Sequence, residues 1–148
     1  MLTSVCRSKF EGSVRIGPFI EFMVISMKIH SSGEDYLEAI LIIKNKKGYV
    51  RSIDVAGFLN YSKPSVSHAV SILRDGGFLD VDENGYLNLT ESGREVAEKI
   101  YERHLFFKNR LIEAGVDEKT AEEEACKIEH DISDDTFEKL KSFSADHT

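Results

Sequence analysis

The stretch KPSVSHAVSILRDGGFLDVDENGYLNLT, residues 63–90, decides the fold. Val66, Val70 and Leu73 recur at helical spacing, so its first half reads as a helix with one apolar face. Ser62 stands where a cap is needed, and Pro64 sits in the first turn, where a missing N–H costs nothing. Gly76-Gly77 ends that helix. FLDVDENGYLNLT then offers two short alternating runs around Asn84-Gly85, a pair suited to a tight hairpin turn because both positions tolerate positive φ.

Working upstream, EDYLEAILIIKNKK carries apolar residues at 36, 37, 40, 41 and 43, with Gly48 as its stop. Ser52 is the expected cap of a short helix, IDVAGFLN. Helix, helix, helix, hairpin is the order of a winged helix-turn-helix, whose third helix enters a DNA major groove. Lys63, Pro64, Ser65, Ser67 and His68 lie on its polar side or first turn, within reach of phosphates or base edges. Asp82 and Glu83 on the wing would repel phosphates, so the tip is expected to contribute weak contacts. The run Lys44, Lys46 and Lys47 is in part a response to the negative end of the first helix.

Downstream, Thr90 is expected to cap a long helix running to about Glu113, and Gly115 to end it. Asp117 opens a further helix, Ser133 caps a last short one, and the chain past Phe143 reads as a loose tail. The segment EACKIEH places Cys126, Glu129 and His130 at i, i+3 and i+4, so a thiol, a carboxylate and an imidazole converge on one helical side. Asp35 and Glu38 share a side of the first helix by the same spacing. His104 points with the apolar stripe Ile100, Phe107 and Leu111, toward other helices. Taken one at a time these are ordinary residues; together they form a candidate metal site of Asp35, Glu38, His104, Cys126, Glu129 and His130.

The 148 residues carry a net charge of −7, unevenly spread. Residues 28–79 hold seven Lys/Arg against five Asp/Glu, whereas 111–148 hold four against twelve. The middle of the chain is therefore open to a polyanion, and the C-terminal end to cations. Two distant cysteines suggest a reducing cytoplasm rather than a disulfide scaffold. GPFIEFMVIS is too short to span a bilayer, and no signal-peptide cleavage site follows it. Residues 1–27 are assigned no function, being either a genuine extra segment or an extension upstream of a start at Met27.

From about Ser32 to Phe143, the segments EDYLEAI, KPSVSHAVSILRDGGFL, LTESGREVAEKIYERH and EACKIEH give the chain its family likeness. It resembles the diphtheria-toxin-repressor family of metal-dependent transcriptional regulators, especially the short manganese-transport-regulator branch. The resemblance implies a mainly α fold with a small β-hairpin wing. A winged helix-turn-helix would span 28–92 and a helical metal-binding and dimerisation domain 93–143, leaving 144–148 as tail. It also implies a cytoplasmic homodimer that binds palindromic operator DNA, as a repressor, when Mn²⁺ or Fe²⁺ is bound. Asp35 and Glu38 fall on the first-helix ligand positions, His104 on the long-helix one, and Glu129 and His130 on the last two.

Cys126 departs from the manganese branch, which has glutamate there, and matches the iron branch. Asp35 departs from the iron branch, which has methionine. Lys108 and Glu122 stand where the iron branch's second site has an acid and a histidine. Oxygen-rich ligation suits Mn²⁺, while a thiolate shifts preference toward Fe²⁺, Co²⁺ or Zn²⁺. Three rival readings fit parts of the same sequence. One is a metal-independent winged-helix regulator of the multiple-antibiotic-resistance kind; another is a small metal-dependent hydrolase with Glu129 as base; the third is a protein-interaction module. The hydrolase lacks a Gly-rich phosphate loop and a nucleophile elbow.

Overall fold

The computed structural model describes the backbone of residues 18–147 and the side chains of residues 32–147. The elements run α1 (Pro18–Lys47), α2 (Ser52–Leu59), α3 (Lys63–Asp75), β1 (Leu79–Val81), β2 (Leu87–Leu89), α4 (Glu91–Glu113), α5 (Glu118–Ile128) and α6 (Asp134–Asp146). The chain divides into two compact units, one up to Lys99 and the other from Ile100 onward. Among the described residues, no helix is long and apolar enough to cross a membrane. Residues 1–17 of the segment given no function lie outside the described residues.

The first unit is a three-helix packing with a two-stranded wing. Its core gathers Tyr36, Leu37, Ile40 and Ile43 from α1, Val55 from α2, Val66, Val70 and Leu73 from α3, and Leu79 and Leu87 from the hairpin. The apolar face read for α3 is thus the buried one, at 0 to 8% exposure for its three residues. Ser62 caps α3, its hydroxyl accepting from the Ser65 N–H at 3.2 Å. Asn60 ends α2 in the left-handed region, φ 55°, one of the few conformations that turn the chain sharply from α2 into α3.

Three local expectations are corrected. α1 is longer than the pattern starting at Glu34 suggests and runs through Gly33; one helical glycine costs only about 1 kcal/mol, too little to stop a helix with apolar sequence on both sides. The cap of α2 is at Arg51 rather than Ser52: the Arg51 N–H donates to Asp54 Oδ2 at 2.8 Å, closing the start of the helix from its third position. The hairpin loop is longer than a two-residue turn. Val81 pairs with Leu87, and Gly85 alone of the Asn84-Gly85 pair has positive φ, 80°.

That loop is a type I turn closed by the glycine. The Gly85 N–H donates to the Asp82 carbonyl at 3.0 Å, and Asp82 Oδ1 accepts from the N–H groups of Asn84 and Tyr86, both at 2.9 Å. Asp82 therefore builds the wing tip, which explains an acid in a place that phosphates would disfavour. Lys44 and Lys47 are likewise engaged within the first unit, donating to Asn88 Oδ1 on β2 at 2.9 Å and to Asp54 Oδ1 on α2 at 2.8 Å. Where the hairpin hands over to α4, a Cβ on Gly93 would lie 2.0 Å from the Phe78 carbonyl oxygen. Only glycine permits that approach.

In the second unit, α5 is capped by Asp117 and α6 by Ser133, each accepting the N–H three residues on. Phe137 is buried against Phe106 and Phe107, with ring centroids 5.3 and 6.0 Å apart. α6 continues to Asp146, past the point where the sequence suggests loosening.

Candidate metal centre

The second unit builds its site from α4 and the end of α5. α4 delivers Arg103 and His104 side by side, both under 5% exposed. α5 stops at Ile128, so the trio Cys126, Glu129 and His130 is not wholly helical. Cys126 is in the last turn, Glu129 is the C-cap, and His130 lies in the turn beyond. Glu129 keeps helical backbone, φ −58° and ψ −29°, with its N–H on the Ala125 carbonyl, which preserves the convergence that the spacing implies.

His104 Nδ1 is 2.8 Å from Glu129 Oε2, and Cys126 Sγ is 3.7 Å from the same nitrogen. His104, Cys126 and Glu129 thereby offer one nitrogen, one sulfur and one oxygen within 4.8 Å of one another. Glu129 is fully buried, and its second oxygen, Oε1, lies 3.2 Å from His130 Nε2 but accepts no aligned hydrogen bond among the described residues. A buried carboxylate oxygen left without an aligned donor is costly unless a cation or water completes it. The donor set and this oxygen fit a divalent transition metal, as borderline-soft ions accept mixed imidazole, thiolate and carboxylate ligation.

Two supporting groups were not legible as such. Arg103 Nη1 donates to the carbonyls of Glu129 and Ile132 at 3.2 and 2.7 Å, and Nη2 bonds the Asp134 carboxylate. One guanidinium thus pins the turn that carries Glu129 and His130 to the start of α6. Glu122, one helical turn before Cys126, places Oε1 2.9 Å from His104 Nε2 and Oε2 2.8 Å from Lys108 Nζ. Burial pushes the Glu122 carboxyl up, but its hydrogen bond to Lys108 and its contacts with His104 and Lys108 outweigh it and hold it below the usual range. The hydrogen bond to Glu122 in turn raises Lys108. Spacing could have found Glu122, at i−4 from Cys126; nothing in a one-dimensional pattern marks Arg103.

In the first unit, Asp35 and Glu38 sit three apart on α1, with Glu38 buried and Asp35 half-buried. Burial, then the neighbouring Asp35 charge, raises the Tyr36 hydroxyl. On α3, Lys63, Pro64, Ser65, Ser67 and His68 are all exposed, on the side away from Val66 and Val70. Ser65 is partly spent on structure, since its hydroxyl receives that of Ser62 at 2.7 Å.

Comparison with known proteins matches two successive family models, which meet just ahead of α4 rather than within it. Residues 28–87 match the N-terminal DNA-binding domain of iron-dependent repressors, and residues 90–147 match their metal-binding and dimerisation domain. The chain is 41% identical over 112 residues to an uncharacterized HTH-type transcriptional regulator of Methanocaldococcus jannaschii, covering 74% of this chain and 90% of that one. It is 30% identical over 114 residues to the transcriptional regulator MntR of Salmonella typhimurium, covering 77% of this chain and 73% of that one. Among solved structures, the manganese regulator SloR aligns with a TM-score of 0.69 at 26% identity, over 76% of this chain and 53% of SloR. IdeR of T. acidophilum aligns with a TM-score of 0.66 at 27% identity, over 75% and 53%. The chain spans about half the length of these two solved proteins. With both of its halves matched and a relative this close, the chain belongs to the iron-dependent repressor family, the metal-dependent transcriptional regulators that include the diphtheria toxin repressor and MntR.

Proposed function

We propose that the chain is a cytoplasmic repressor that binds palindromic operator DNA as a homodimer when Mn²⁺ or Fe²⁺ is held by Asp35, Glu38, His104, Cys126, Glu129 and His130. The observation that carries the reading is the convergence of buried His104 Nδ1, part-buried Cys126 Sγ and the buried Glu129 carboxylate, whose Oε1 lacks an aligned donor. When bound, a divalent cation supplies the concentrated positive charge that a thiolate and several carboxylates need in order to share one place. His104, Cys126, Glu129 and His130 lend their donors from the second unit, and Asp35 and Glu38 lend theirs from the first. Unneutralised, these acids repel one another and leave the DNA-reading unit free to hinge. Satisfied together, they restrain it, so that the α3 helices of a dimer keep a separation of about 34 Å, one turn of DNA. Lys63, Pro64, Ser65, Ser67 and His68 then meet the major groove and its phosphates. Because a restrained population is enriched, operator and cation strengthen each other's binding.

Calorimetric titration with Mn²⁺, Fe²⁺ and Zn²⁺, on the natural chain and on Cys126→Glu, tests the ligand set. The expected result is a shift of the variant's preference toward Mn²⁺, because a hard oxygen replaces a soft thiolate. An unchanged ranking removes Cys126 from the site.

A further inference from the structure

His104 presents both ring nitrogens to carboxylates. Nδ1 faces Glu129 Oε2 at 2.8 Å and Cys126 Sγ at 3.7 Å, whereas Nε2 faces Glu122 Oε1 at 2.9 Å. A neutral imidazole has one N–H and one lone pair, so only one of these nitrogens can ligate a cation. The side that gathers ligand atoms is the Nδ1 side. For its lone pair to be available there, the hydrogen has to reside on Nε2, and that requires an acceptor.

We propose that Glu122, held by Lys108, is the positioning residue that keeps the hydrogen of His104 on Nε2 and so aims Nδ1 at the metal. This deepens the metal-site reading and rests on it. Glu122 suits the role because it has no slack. Its Oε2 is tied to Lys108 Nζ at 2.8 Å, and its side chain is only 19% exposed, so Oε1 is the oxygen left to face the ring. Lys108 is drawn in addition by Glu118 at 3.4 Å, which keeps the ammonium over this edge of α5. Lys108 comes from the same helix as His104, four residues on, and Glu122 from the facing one. The clamp therefore also fixes the rotation of the imidazole about its own axis. Carboxylates that orient a ligating histidine through its other nitrogen raise the ligand's basicity and affinity, and their loss costs about 10–100-fold in metal binding.

The arrangement differs from a further ligand in kind. Glu122 spends both oxygens on donors already in the protein, one an ammonium and one an imidazole N–H, so neither is directed at the cluster of His104 Nδ1, Cys126 and Glu129. Lys108 supplies a fixed positive charge on the outer side of His104, where a second cation would be repelled.

The test uses the full chain with two probes, Co²⁺ for affinity by calorimetry and Zn²⁺ for ¹⁵N NMR of the histidine rings, with His104 assigned by His104→Gln. In the Zn²⁺-loaded natural chain, His104 is expected to show a metal-bound Nδ1 and a protonated Nε2. Glu122→Ala is expected to lower Co²⁺ affinity about 10–100-fold. Lys108→Met should lower it by a smaller factor, and Lys108→Arg should stay near the natural value, since another cation can hold the carboxylate. Circular dichroism of each variant separates misfolding from lost positioning, and the conservative Lys108→Arg keeps the question answerable if Glu122→Ala fails to fold. A zinc-bound Nε2, or Glu122→Ala binding Co²⁺ within about twofold of the natural chain, overturns the inference while leaving the metal site standing. No binding of either ion by the natural chain, or full binding by His104→Gln, overturns the metal-site reading itself.

Discussion

Replacing Arg103 by methionine should loosen the turn that carries two of the proposed ligands. The substitution keeps an unbranched, polarizable side chain beside the Phe137 ring, 5.3 Å from the guanidinium carbon, so little packing is lost. What disappears is the pair of charge-assisted bonds to the Glu129 and Ile132 carbonyls and the ion pair with Asp134. Hydrogen bonds to charged groups contribute about 1.5–3 kcal/mol each. The Asp134 side chain is 66% exposed, so water takes over its share and the ion pair counts for about 0–1 kcal/mol. The two carbonyl bonds dominate, giving an expected loss of about 3–6 kcal/mol. A total in the middle or upper part of the typical range of about 5–15 kcal/mol leaves the chain folded after this loss. Urea unfolding at one fixed protein concentration measures the loss, and the concentration is held fixed because the proposed homodimer would make stability depend on it. Metal affinity should fall in parallel, since Glu129 loses the brace on its carbonyl. A loss below about 1 kcal/mol with unaltered metal binding would refute the assignment of Arg103 as the brace.

Two further outcomes follow from the first unit. Gly93→Ala should destabilise the chain by at least about 2 kcal/mol in thermal unfolding: the gain in helix propensity is about 1 kcal/mol, whereas the new Cβ meets the Phe78 carbonyl oxygen, which is backbone and already accepts the Thr90 N–H at 3.2 Å. A neutral or stabilising effect would mean that the approach of hairpin to α4 is looser than described. Asp54 is held below the usual carboxylate range, first by its hydrogen bond to Lys47 and then by the Arg51 N–H, against the opposing pull of burial. A depressed folded pKa contributes stability that is present above the unfolded value and lost as pH falls through the folded one. The melting gap between the natural chain and Asp54→Asn should therefore be widest near neutrality and shrink in acid; a gap independent of pH would contradict it.

The hairpin shows how far a linear pattern reaches. Alternation around Asn84-Gly85 located both strands, because side-chain period alone separates strand from helix. The loop type was out of reach, since it turns on Asp82 accepting two backbone N–H groups, and that engagement competes with a two-residue turn only once the register is set. The cap of α2 was missed for a related reason. Ser52 is the stronger capping residue in isolation, but Asp54 three residues past Arg51 satisfies the Arg51 N–H from inside the helix. Helical spacing put His104, Cys126 and Glu129 on converging faces, and the second unit joins them. It gives no sign of the brace behind them. Arg103 reads as one more charge in a polar helix, and its worth comes from carbonyls 26 and 29 residues away. Lys108 and Glu122 are departures from the iron branch in the sequence, and the structure pairs them with each other.

The most direct measurement of the central claim is the affinity of the purified chain for DNA with and without metal. Fluorescence anisotropy on a duplex enriched from a random pool by the Mn²⁺-loaded protein would be recorded after exhaustive chelation, and again as Mn²⁺, Fe²⁺ or Zn²⁺ is restored. Binding should be weak under chelation and recover with metal, and His104→Ala should not recover. Equal affinity with and without chelator, or full metal response in His104→Ala, would contradict the account.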